Sequence, residues 1–130
     1  MKRLGIALLV TALAGSAWAG YNWPTPVEIY PTIGLARGSM GTARNGAGLS
    51  YLGCTVYAGS TWTTPLGYCY ASDANHNYAS CFIGASSPTL VTVLASINSD
   101  SVVGFEWDLN TGQCRSVDVQ NTSSAEPKKP

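Results

Sequence analysis

The chain predicts an α+β fold, a small antiparallel sheet of about five strands with one helix packed on a face and two disulfides. Three observations lead there. Short runs of β-forming residues, broken by turn residues, lie on both sides of a single helical stripe. The four cysteines, Cys54, Cys69, Cys81 and Cys114, are even in number. An N-terminal export pattern would place those thiols in an oxidising compartment, where two disulfides are the default.

The export pattern comes first. Lys2 and Arg3 precede an apolar run from Leu4 to Leu13, and Ala17-Trp18-Ala19 supplies small residues for cleavage after Ala19. The run falls short of the ~20 apolar residues that cross a bilayer, and no later run is longer. No cysteine stands at the cleavage site to take a lipid. The expectation is a cleaved signal over residues 1–19, no integral membrane segment after cleavage, and a home in the periplasm or outside the cell; the pattern is of the bacterial kind. Residues 20–130 suit one domain.

Residues 20–33 carry Tyr21, Trp23, Pro24, Pro26, Tyr30 and Pro31, which predicts an extended aromatic arm, with Val27 to Tyr30 as an edge strand. Residues 34–120 form the disulfide-stabilised domain. Gly34 to Gly53 is dense in glycine around Arg37 and Arg44, and reads as turns and bulges. It lacks the Gly-Lys-Ser/Thr that would make it a phosphate loop. Strands are expected at 49–57, 66–72 and 78–83. The last two form a hairpin around Asp73 to Asn77, with Cys69 roughly opposite Cys81.

Ser87 and Pro88 suit a helix start, and Leu90, Val91, Leu94 and Ile97 form one buried stripe to about residue 97. A second hairpin follows. Val103, Phe105 and Trp107 alternate on one face of its first strand, and Arg115, Val117 and Val119 lie on one side of its second. Residues 121–130 are polar and predict a disordered tail. Of three possible disulfide pairings, Cys54–Cys69 with Cys81–Cys114 is preferred, since it ties neighbouring segments and secures the late hairpin.

After cleavage, Arg37, Arg44, Arg115, Lys128 and Lys129 stand against seven acidic side chains. That balance offers no basic footprint for nucleic acid. The cysteine gaps are too long and unequal for a zinc site, and no Cys-x-x-Cys is present, so neither metal nor cofactor is expected. Asp73-x-Asn75-x-Asn77 begins like a calcium loop, but Tyr78 and Gly84 stand where that loop needs Gly and Glu, so turn chemistry is the better account. His76 with Asp73 lacks any nucleophile-elbow pattern. Glu106 and Asp108 could share a strand face about 7 Å apart, a spacing compatible with glycoside hydrolysis.

The aromatic content is the most distinctive feature. Trp62 sits among Ser60, Thr61, Thr63 and Thr64 in a turn region, and exposed Trp and Tyr offer large contact area with a polar handle. The expectation is a small exported non-catalytic binding protein, inhibitor- or adaptor-like, using aromatic loops that carry Trp62, Trp23 and Tyr21, its partner a protein or a carbohydrate. Two alternatives are a structural component of the envelope or an extracellular fibre, with the arm as connector, and a small secreted hydrolase using Glu106, Asp108 or His76.

Overall fold

A computed structural model describes residues 24–46 and 50–122. The expected signal, Tyr21, Trp23 and the last eight residues lie outside them.

The described chain runs β1 (Glu28–Tyr30), β2 (Leu35–Ser39), α1 (Met40–Asn45), β3 (Tyr51–Tyr57), β4 (Leu66–Ser72), β5 (Tyr78–Ile83), α2 (Pro88–Leu94), β6 (Val102–Trp107) and β7 (Cys114–Gln120). These strands form two antiparallel sheets. One has the order β1-β2-β6-β7 and the other is the meander β3-β4-β5. The α+β class holds, but the expected single sheet of about five strands is seven strands in two sheets, with two short helices rather than one. The four-stranded sheet is closed by pairing β2 with β6, which joins the two ends of the described chain around the inserted meander.

The glycine-rich segment is the largest departure from expectation. Leu35 to Ser39 is a strand because Ala36 and Gly38, both buried, alternate with Leu35 and Arg37. Gly38 is required there, since a Cβ would stand 2.9 Å from the Val27 Cα of the incoming segment. Ser39 then caps α1, its Oγ accepting from the Thr42 amide at 3.3 Å. Gly34 takes a φ of +67°, and a side chain there would press on the Trp107 carbonyl.

Helix α2 starts at Pro88 as expected, but Ser87 makes no side-chain cap bond. Regular helix ends at Leu94, and the amides of Ala95, Ser96 and Ile97 each reach back three residues in tight turns. The stripe itself packs as expected: Val91 and Leu94 are buried, and Leu90 and Ile97 pack against the core. Leu94 rests on Gly67 of β4, where a Cβ would come within 3.0 Å of its Cδ1.

One apolar cluster fills the space between the sheets and under α2. The four-stranded sheet contributes Ala36, Val103, Phe105 and Cys114. The meander contributes Leu52, Cys69, Ala71, Ala79, Cys81 and Ile83. A bulge on β7 brings Cys114 into this core. Glu106 pairs with Ser116 but Trp107 pairs with Cys114, so Arg115 is an extra residue and the strand changes face there. Arg115 therefore leaves the side that Val117 and Val119 share and stands exposed.

Three cysteines lie in one cross-strand row, Cys54↔Cys69↔Cys81. Cys69 faces two neighbours and bonds to Cys54, with Cα atoms 4.0 Å apart. That leaves Cys81 to bond Cys114, with Cα atoms 5.0 Å apart, and this second bond ties the two sheets together. The Phe82 amide donates to the Gly112 carbonyl beside it, at 3.2 Å.

Candidate functional site

Alternation along the meander separates two kinds of residue. Inward positions are small or apolar: Leu52 and Cys54 on β3, Gly67, Cys69 and Ala71 on β4, Ala79, Cys81 and Ile83 on β5. Outward positions run across the strands in rows: Tyr57–Leu66, Thr55–Tyr68–Phe82, Gly53–Tyr70–Ser80 and Tyr51–Ser72–Tyr78. One sheet face thus gathers Tyr51, Tyr57, Tyr68, Tyr70, Tyr78 and Phe82. Of these, Tyr51, Tyr57, Tyr78 and Phe82 are between 42% and 56% exposed, which for rings of this size is a large open apolar area.

The rings are mutually braced. Tyr70 lies over Gly53, where a Cβ would stand 3.1 Å from its hydroxyl, so the glycine seats the ring. Ring centroids are 6.0 Å apart for Tyr51 and Tyr70 and 6.1 Å for Tyr68 and Tyr70, within the range where aromatic pairs attract. The hydroxyls of Tyr68 and Tyr78 are 2.9 Å apart. The Ser80 and then the Tyr78 hydroxyl lower the Tyr68 phenol, while the bond to Tyr68 and partial burial raise that of Tyr78. Either hydroxyl can donate in this pair. None of β3, β4 or β5 contains a charged residue.

Trp62 extends this face at one end. It is 51% exposed, its amide donates to the Gly59 carbonyl at 3.0 Å, and its ring packs against Gly59. A shallow cleft of about 290 Å³ runs between Trp62, Thr63, Thr64, Leu66 and Ala85. Leu66 belongs to the outward rows, where it pairs with Tyr57, so the cleft adjoins the tyrosine face at that residue. The sequence reading singled out Trp62 but missed the face beside it. The signal was present: Cys and Ala, among the most buried residue types, alternate with Tyr in Tyr68-Cys69-Tyr70-Ala71 and with Tyr, Ser and Phe in Tyr78-Ala79-Ser80-Cys81-Phe82, which assigns the rings to the outside.

A second concavity lies on the outer face of the four-stranded sheet. It measures about 500 Å³ and is lined among others by Leu35, Arg37, Val102, Glu106, Asp118 and Gln120, with Gly104 at its centre. A Cβ on Gly104 would meet only ordinary contacts from 3.7 Å outward, so packing does not require glycine there. Arg37 is engaged: its Nε and Nη2 donate to Glu28 Oε2 at 3.1 and 3.0 Å, and Tyr30 donates to the same oxygen at 2.9 Å. The Tyr30 bond, then the Arg37 bond, holds the Glu28 carboxyl below its usual range.

The residues named for hydrolysis do not meet. Glu106 lines this groove, whereas Asp108 and His76 are not among its walls. Asp108 caps its own turn, its Oδ1 accepting from the amides of Asn110 and Thr111 at 2.9 Å each, and those bonds lower its pKa. Asp73 does the same for the β4–β5 hairpin. Its Oδ1 accepts from the amides of Asn75 and Asn77, and its Oδ2 from Asn77 Nδ2 at 2.7 Å. His76 sits in that turn with a φ of +64°. Among the described residues no group of His, Cys, Asp or Glu is arranged to hold a metal ion, and no helix is long and apolar enough to cross a membrane.

No protein-family model, curated protein or solved structure matches the chain.

Proposed function

We propose that the protein is a small exported, non-catalytic binding protein whose contact surface is the aromatic face of β3, β4 and β5, extended by Trp62. The observation that carries this reading is the gathering of six rings on the outside of one sheet, while the inside is built from small residues and cysteines. Tyrosine is costly to leave in water as an apolar body, yet it pairs that body with a hydroxyl. It is therefore the residue type that gains most when a partner covers it. The binding residues expected from sequence shift accordingly, from aromatic loops to a sheet face with one loop tryptophan at its end.

Export is supported by the two disulfides, which persist in oxidising compartments. The partner classes are the two expected from composition, protein or carbohydrate. The test is capture from envelope and culture medium on immobilised oxidised protein, with proteins and glycans both analysed. The native chain should retain a component that a Tyr57→Ala/Tyr78→Ala variant does not. Identical retention by both would refute the reading.

A further inference from the structure

We infer that the aromatic face takes a neutral polysaccharide, laid along the strands from Tyr51 and Tyr78 toward Trp62. This rests on the binding reading above and narrows it to one ligand chemistry.

Charge is the first argument. The three strands carry no acidic or basic side chain. An acidic glycan, a nucleic acid or a charged peptide would be stripped of water over this surface without meeting a counter-charge, which is unfavourable. A neutral sugar chain presents what the face complements. The carbon-bound hydrogens on the flat side of a sugar ring are weakly positive and apolar, and they match the negative face of an aromatic ring. Its hydroxyl edges can exchange hydrogen bonds with the Tyr hydroxyls and with the half-buried Thr55 and Ser80 on the same face.

Size is the second argument. Three strands about 4.8 Å apart and seven residues at about 3.4 Å each give a face roughly 15 Å by 20 Å. That footprint of about 300 Å² is far below the ~800 Å² per partner of a stable protein interface. A second copy of this chain, or a folded protein partner, would have to reach well beyond these three strands to bury that much. A linear glycan needs only a narrow track, and its repeating units let weak contacts add along the chain. The open cleft beside Trp62 lets such a track run on past the end of β4.

The test is affinity electrophoresis of the oxidised, exported chain in gels cast with hydroxyethyl cellulose, dextran or galactomannan, and with alginate as an acidic control. At least one neutral polymer should retard the native protein, with alginate giving none. Tyr57→Ala and Tyr78→Ala should each weaken binding about tenfold. Tyr78→Phe, which keeps the ring, should retain most of it. Glu106→Gln, on the other sheet, should change nothing. Both tyrosines are about half exposed, so their removal leaves no core cavity, and a melting curve verifies that each variant is folded.

Absence of retardation by every neutral polymer would overturn the inference, as would equal retardation of the native chain and the alanine variants. The two readings separate cleanly. If the alanine variants lose a protein captured by the native chain while no neutral polymer binds, the glycan inference falls and the binding face stands. If they lose nothing in either experiment, both fall.

Discussion

Asp73 shows how much one side chain organises here. Its carboxylate receives three hydrogen bonds from a five-residue turn, so the ionised form belongs to the folded state and its pKa is held below the usual aspartate range. A depressed folded pKa contributes stability that is present above the unfolded value and is lost as pH falls through the folded one. Asp108, lowered for the same reason, acts in the same direction. The thermal midpoint should therefore be flat from neutral pH to about 5 and fall below about 4. In an Asp73→Asn variant that acid slope should be shallower; an unchanged slope would contradict this role. Asp73→Ala should cost about 1–3 kcal/mol in urea unfolding. Tyr68 and Tyr78 give a second residue-scale expectation. Residue-resolved NMR titration should show Tyr68 ionising before Tyr78, and the reverse order would contradict the directions of those two shifts.

At the scale of elements, the disulfides and α2 carry the testable content. Cys81–Cys114 closes a separation of 33 residues and links the sheets, and Cys54–Cys69 closes 15 within one sheet. Chain-entropy arguments give about 3.7 and about 3 kcal/mol respectively. Paired Cys→Ala replacement should make the inter-sheet bond the more costly loss, and the opposite ranking in denaturant would argue against its role as the inter-sheet tie. Leu94→Ala should cost about 2–5 kcal/mol, because Leu94 is the α2 residue seated on Gly67. The sequence made the locally determined elements legible. β4, β5 and β6 follow from alternation bounded by turn residues such as Asp73 to Asn77. β2 and α1 did not, because Gly34, Gly38, Gly41 and Gly46 read locally as turns, whereas Gly34 and Gly38 serve close tertiary approach, against Trp107 and Val27. The β7 bulge was equally hidden, since only pairing with Trp107 reveals that Cys114 turns inward. Half of the candidate site was read from sequence, Trp62 by its turn context, whereas the tyrosine face was missed although its alternation with cysteine and alanine signalled it. Tyrosine's amphipathic character masked the second signal, since it suits core and surface alike.

For the whole molecule, the two sheets divide the labour. Their inner faces, α2 and the Cys81–Cys114 bond make a single core of small and apolar residues. The outer faces differ in kind. The four-stranded sheet carries Arg37, Glu106 and Asp118 around the Gly104 groove, with Glu28 bonded to Arg37, and the meander carries rings and hydroxyls without charge. That contrast makes the location of binding the central claim. The most direct measurement is a chemical-shift map of the oxidised chain titrated with soluble oligosaccharides of the neutral polymers named above. Changes should be confined to Tyr51, Tyr57, Tyr68, Tyr70, Tyr78 and Phe82, with Trp62 at the end of the track. Changes centred on the Gly104 groove, or none with oligosaccharides of any of the three neutral polymers, would contradict it.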